Sequence, residues 1–104
     1  MILVSIDKID GKELEILGMV KGSVVRTKNV GHDIMASFKT LVGGEISSYT
    51  DMMNEARSIA TKRMVDEAES MEADAIVGIR YSSSTVMGGA AEIMAYGTAV
   101  KFKK

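Results

Sequence analysis

His32 is the only histidine in the 104 residues, and there is no cysteine. It sits between Gly31 and Asp33. A metal reading makes His32 and Asp33 ligands of a divalent ion, with Glu45 or Asp51 completing the set. A structural zinc site takes four His or Cys ligands, and one chain supplies a single imidazole. Such a site therefore has to gather His32 and carboxylates from several copies of the chain, or His32 is simply a solvated or capping residue. Without cysteine there are no disulfides, no thiolate chemistry and no cysteine-held zinc or iron–sulfur group.

The nine methionines offer thioethers to a soft metal such as Cu(I). Met52, Met53, Met64 and Met71 fall on one apolar helical stripe, where core packing accounts for them. The hydroxyls of Ser82 to Thr85 have no His or Lys close in sequence to activate them, and no nucleophile-elbow pattern is present. Gly43-Gly44 and Gly88-Gly89 match neither a P-loop nor a dinucleotide fingerprint and read as turns. Asp7 with Asp10 and Glu13 with Glu15 are acidic pairs without the loop spacing of an EF-hand. Tyr49, Arg57, Arg80 and Tyr96 are the remaining polar candidates for a site shared between subunits. No nucleophile–base pair is visible among them, so the chain reads as a binding or scaffold protein more than as an enzyme.

These residues must be held by a small frame. A chain of this length makes one domain over residues 1–104. Thirteen Lys+Arg against fourteen Asp+Glu give a net charge of -1. That balance speaks against a nucleic-acid binder relying on a basic face. No apolar run is long enough to span a bilayer, and no signal-type stretch opens the sequence, so a cytoplasmic chain without a membrane partner is expected.

Ile2 to Ile6 is a short β-type run. Asp10-Gly11 follows it and predicts a hairpin with both central residues at φ > 0. A second strand is expected from about Glu13 to Arg26, with Leu14, Ile16, Gly18, Val20, Gly22 and Val24 on one face. Its glycines predict a bend or a closely crossing helix. Asp33 to Leu41 reads as a short helix stopped at Gly43-Gly44. Ser48 and Asp51 resemble a capping box, opening a long helix to Met71, about 36 Å at 1.5 Å per residue. Ala75–Val86 and Ala90–Phe102 predict a hairpin turning at Gly88-Gly89, with Tyr81 opposite Tyr96 and Gly78 opposite Ala99. Its polar Ser82–Thr85 segment is expected to protrude, and Lys101 to Lys104 to fray. The class is α+β, with a mostly antiparallel sheet, one long helix and one short one.

The ordered set of motifs resembles the YbjQ-like family of small bacterial and archaeal proteins, often labelled heavy-metal-binding. The matching stretches are Ile9-Asp10-Gly11-Lys12-Glu13, Leu17-Gly18-Met19-Val20-Lys21-Gly22 and Val42-Gly43-Gly44. Tyr49, Ala73-Asp74-Ala75-Ile76-Val77-Gly78-Ile79 and Tyr96-Gly97-Thr98-Ala99-Val100 complete it. The resemblance implies a homopentameric ring and no established reaction. Assembly also suits the composition, because 46% hydrophobic residues exceed what one helix and a modest sheet cover. Ile2–Ile6 and Ala90–Phe102 are the expected sheet edges. Family members commonly carry Gly where this chain has Glu72. A left-handed residue there would turn the long helix into the next strand.

Overall fold

The computed structural model describes residues 1–26, 44–85 and 90–104, with side-chain surroundings in the helix from residue 50 onward. It has the expected α+β class: strands β1 (Ile2–Leu3) and β2 (Leu14–Arg26), helix α1 (Gly44–Ser70), then β3 (Ala75–Thr85) and β4 (Ala91–Phe102). The sheet order is β1-β3-β4-β2. β1 pairs with β3 in parallel, and the other pairings are antiparallel, so the sheet is mixed. The short helix expected at 33–41, the turn at Gly88-Gly89, His32 and Asp33 all lie outside the described residues.

The long helix begins at Gly44, four residues before the expected start. Ser48 and Asp51 are therefore interior helical positions, not a cap. At 27 residues α1 is about 40 Å long. Its apolar stripe is as the spacing predicts. Ala56, Ala60, Met64 and Ala68, one every fourth residue, are buried against Val20, Val24, Ile76, Ile79, Ile93, Ala95 and Ala99. The small side chains bring α1 down on β2. A Cβ on Gly22 would overlap the Ala60 carbonyl oxygen, the Met64 amide nitrogen and the Arg63 Cβ. The crossing helix expected over the glycines of this strand is found here.

The bend expected in β2 is also found, and it alters which residues share a face. A bulge separates Ile16 from Gly18. Beyond it, Leu17, Val20 and Val24 face α1, while Leu14 packs on the opposite face with Ala75, Val77, Val100 and Phe102. Ile16 is left 74% exposed. The expected single face of Leu14, Ile16, Val20 and Val24 is thus split, because the extra residue reverses the alternation.

Asp10-Gly11 does turn the chain. Lys12 N–H donates to the Ile9 carbonyl at 3.1 Å, and Gly11 has φ 76°. Asp10 is not at positive φ, so the turn is of type II rather than the expected I′. Nor does it make a hairpin, since β1 and β2 are the two opposite edges of the sheet. The segment between them crosses the face away from α1, where Val4 and Ile9 cover Ala75, Val77 and Val100. The expected edge at Ala90–Phe102 is corrected as well: β4 is an interior strand, and β2 is the edge.

β3 and β4 form the antiparallel pair, but out of the expected register, by one residue in the distal half and by two near Ala99. Tyr81 faces Ala95, Arg80 faces Tyr96, and Ile76 rather than Gly78 faces Ala99. A bulge between Val77 and Arg80, with Gly78 at φ 63°, accounts for the change of register between the two halves. Beyond it Ser82 to Thr85 are exposed, as their polarity predicts. The C-terminal lysines do not fray from Lys101: β4 runs to Phe102, whose N–H donates to Asp74 at 2.8 Å, and Lys103 N–H donates to the Glu13 carbonyl at 2.9 Å.

Glu72 ends α1 as the family comparison implied. Its φ is 59°. Glu72 N–H donates to the Glu69 carbonyl at 2.9 Å and Ala73 N–H to the Ala68 carbonyl at 3.1 Å, the paired bonds of a Schellman motif. Ala73 then packs against the core beside Ala68. The left-handed position favours glycine, and the exposed Glu72 side chain makes no ion pair among the described residues. Glu72→Gly is expected to stabilise the fold by about 1 kcal/mol, raising Tm by roughly 4–8 °C in a thermal melt. Gly22→Ala should act oppositely, costing about 3 kcal/mol in denaturant unfolding because α1 must lift off β2 to admit the methyl group.

Candidate functional site

The residues proposed for metal binding do not form a described cluster. Glu45 stands in the first turn of α1 and Asp51 two turns in, six positions apart, where a helix does not set residues side by side. Asp7, Asp10, Glu13 and Glu15 are exposed. Among the described residues no three of His, Cys, Asp or Glu are grouped to hold an ion. Three of the four stripe methionines pack as expected: Met64 is wholly buried, and Met53 and Met71 lie against the core, while Met52 is half-buried.

The four polar candidates separate. Arg80 and Tyr96 are register partners on the face away from α1. Arg80 Nη1 donates to the Ser5 carbonyl at 2.7 Å and to its neighbour Ile79 at 2.9 Å. It thereby ties the N-terminal segment to β3 and has a structural task. Arg57 belongs to α1, on the other side of the sheet. The surroundings of Tyr49 lie outside the described residues.

Two depressions collect side chains capable of recognition. One lies beside β2 and is lined by Met19, Val20, Lys21, Glu67, Met94 and Tyr96, with a volume of 390 Å³. Its character is apolar with a charged rim. Glu67 reaches over the edge of β2 and accepts the Lys21 N–H at 3.1 Å. Arg63 donates to the Ser23 carbonyl in the same way. Two backbone groups that β4 leaves free are thus answered by α1, which blunts this edge against strand addition.

The second depression lies between α1 and the distal half of β3. Asn54, Arg57, Ser58, Thr61, Lys62 and Tyr81 line it, and its volume is 660 Å³. Thr61 Oγ1 donates to the Arg57 carbonyl at 2.7 Å and is 2.7 Å from the Tyr81 hydroxyl. The single Thr61 proton is already used, so the phenol must donate to Thr61. Arg57 Nη2 donates to Asn54 Oδ1. Lys62 pairs with Asp66 at 3.1 Å. Neither Tyr81 nor Thr61 stands out in the sequence. Gly78, inside an otherwise apolar β-type run, was the signal of the bulge that aims Tyr81 at the helix.

A family model described as "Putative heavy-metal-binding" matches residues 1–103. The chain belongs to the YbjQ family. A UPF0145 protein of Alkaliphilus metalliredigens is 68% identical over 102 residues, covering 98% of this chain and 99% of its own. A UPF0145 protein of Thermotoga maritima is 58% identical over 105 residues, covering 100% of this chain and 99% of its own. A crystal structure from Pediococcus pentosaceus, of a protein of unknown function in the DUF74 family, superposes with a TM-score of 0.70 at 17% identity. It covers 99% of this chain and 98% of that one, and it shows the shared fold. Among the described residues no helix is long and apolar enough to cross a membrane.

Proposed function

We propose that this YbjQ-family chain is a non-enzymatic, cytoplasmic scaffold or small-ligand-binding protein that closes into a homopentameric ring, with its site at the boundary between protomers. The observation that carries this reading is a pair of unlike apolar patches at opposite edges of one sheet. At the β1 edge Met1, Ile2, Leu3 and Ile6 are exposed. At the β2 edge Ile16, Met19 and Val25 are exposed, Met19 to 76%. Covering both with water costs free energy in proportion to their area. Joining one edge of a protomer to the other edge of the next removes both, and a head-to-tail contact closes into a ring when the rotation allows. Glu67 and Arg63 already occupy backbone groups of β2, so the contact is made by side chains rather than by continuing the sheet. The number five rests on family resemblance.

Complementary variants test the geometry. In native mass spectrometry or ultracentrifugation, Ile6→Glu and Met19→Glu should each release monomers. Their equimolar mixture should recover dimers and nothing larger, because only one intact pair of edges remains. A stably folded wild-type monomer at low concentration overturns the ring.

The family model's description favours a second reading, a heavy-metal protein using His32, Asp33 and carboxylates from neighbouring chains. It predicts stoichiometric metal after chelation and repletion, lost in His32→Ala, by elemental analysis. Sub-stoichiometric metal that is unchanged in His32→Ala rejects it.

A further inference from the structure

The depression between α1 and β3 offers a different kind of site from either patch. The segment 4–6 bonds along β3 only as far as Gly78 and Ile79: Gly78 N–H donates to the Ile6 carbonyl at 2.8 Å and Ile79 N–H to the Val4 carbonyl at 3.1 Å. From Arg80 onward the outer edge of β3 has no strand partner among the described residues. Tyr81, 48% exposed, stands over the helix with no described strand beside it on that side.

The lining has directional chemistry. Arg57 is half-buried and has no carboxylate within ion-pair distance among the described residues. Asn54 accepts one of its N–H groups. That fixes the guanidinium plane and leaves other donors in the fork geometry that suits a phosphate or carboxylate. Lys62 contributes less, since Asp66 already neutralises it. Ser58 supplies a hydroxyl on the same wall. The chain Tyr81 O–H to Thr61 O–H to Arg57 C=O commits the phenol proton inward. The phenol oxygen can then only accept from a ligand.

We propose that this depression binds a small anion that also bears a hydroxyl group, with Arg57 holding the phosphate or carboxylate and Tyr81 accepting the ligand's O–H. The proposal goes beyond the proposed function, placing a site within one protomer, and does not require the ring to close.

Titration calorimetry on the full chain tests it, with inorganic phosphate and glycerol 3-phosphate as probes at constant ionic strength. Glycerol 3-phosphate should bind more tightly than phosphate. Arg57→Gln should weaken both by about tenfold or more, the usual loss for a hydrogen bond to a charged group. Arg57→Lys, which keeps the charge but not the fork, should fall between. Tyr81→Phe should abolish the preference for glycerol 3-phosphate while leaving phosphate bound. Lys8→Gln, on an exposed loop, should change nothing. Circular dichroism and a melt without ligand confirm that each variant folds. Failure of wild type to bind either probe at millimolar concentration overturns the proposal, as does binding that survives unchanged in Arg57→Gln. Native mass spectrometry of the same samples separates the two readings. An intact ring indifferent to both anions sinks this site alone, and a monomer with Arg57-dependent binding sinks the ring alone.

Discussion

The contact on which the architecture turns is the seat of α1 on β2 at Gly22. The helix backbone comes so near that no side-chain carbon fits between Gly22 and the Ala60–Met64 turn. Such proximity explains why the buried stripe is Ala56, Ala60 and Ala68 with Met64 as its one bulky member. Small residues permit the approach, and the flexible thioether fills the irregular gap that remains. It also sets the position of Arg63 and Glu67, which flank Met64 and Ala68 and can therefore reach around the rim of β2. One tight crossing thus dictates the core, the treatment of a sheet edge and the line of polar residues that α1 presents toward β3.

A helix that meets its sheet mainly through alanines leaves a thin core. Much of the large apolar surface of the chain is then placed elsewhere, at Ile2, Leu3, Ile6, Ile16 and Met19. This is the physical sense in which a hydrophobic content of 46% outruns the interior of one copy. The fold shared with the Pediococcus protein at 17% identity says that the arrangement tolerates wide change in side chains. It does not by itself name a ligand, so the chemistry has to be sought in particular groups such as Arg57 and Tyr81.

Features that depend on local periodicity were legible in the sequence. The alanine and methionine stripe announced α1, and the glycines of β2 announced both its bend and its crossing. Glu72 was readable as a left-handed helix stop once the family pattern was considered. Features that depend on a one-residue insertion were not. The bulge at Gly78 shifts the β3–β4 register by one, leaving Tyr81 opposite Ala95, and the bulge before Gly18 turns Ile16 outward. The Asp10-Gly11 turn was recognised but its partners were misjudged, because the two-residue β1 pairs with a strand more than 70 positions away. Likewise, the Thr61–Tyr81 contact joins residues 20 apart on different elements, and nothing in either one's neighbours predicts it.

The interior place of β4 has a bearing on how the sheet closes. It follows the other described strands in the sequence, yet it provides the whole pairing surface for β2 and most of that for β3. Without it, the described residues hold α1, a two-residue strand contact and two long strands that lack their common neighbour. Closure must bring together stretches as distant as Leu14 and Phe102, a non-local step whose loop entropy is met before any reward. The sheet is therefore completed late in folding, and a partly folded chain in which β4 has not docked carries two open ladders and a tendency to aggregate.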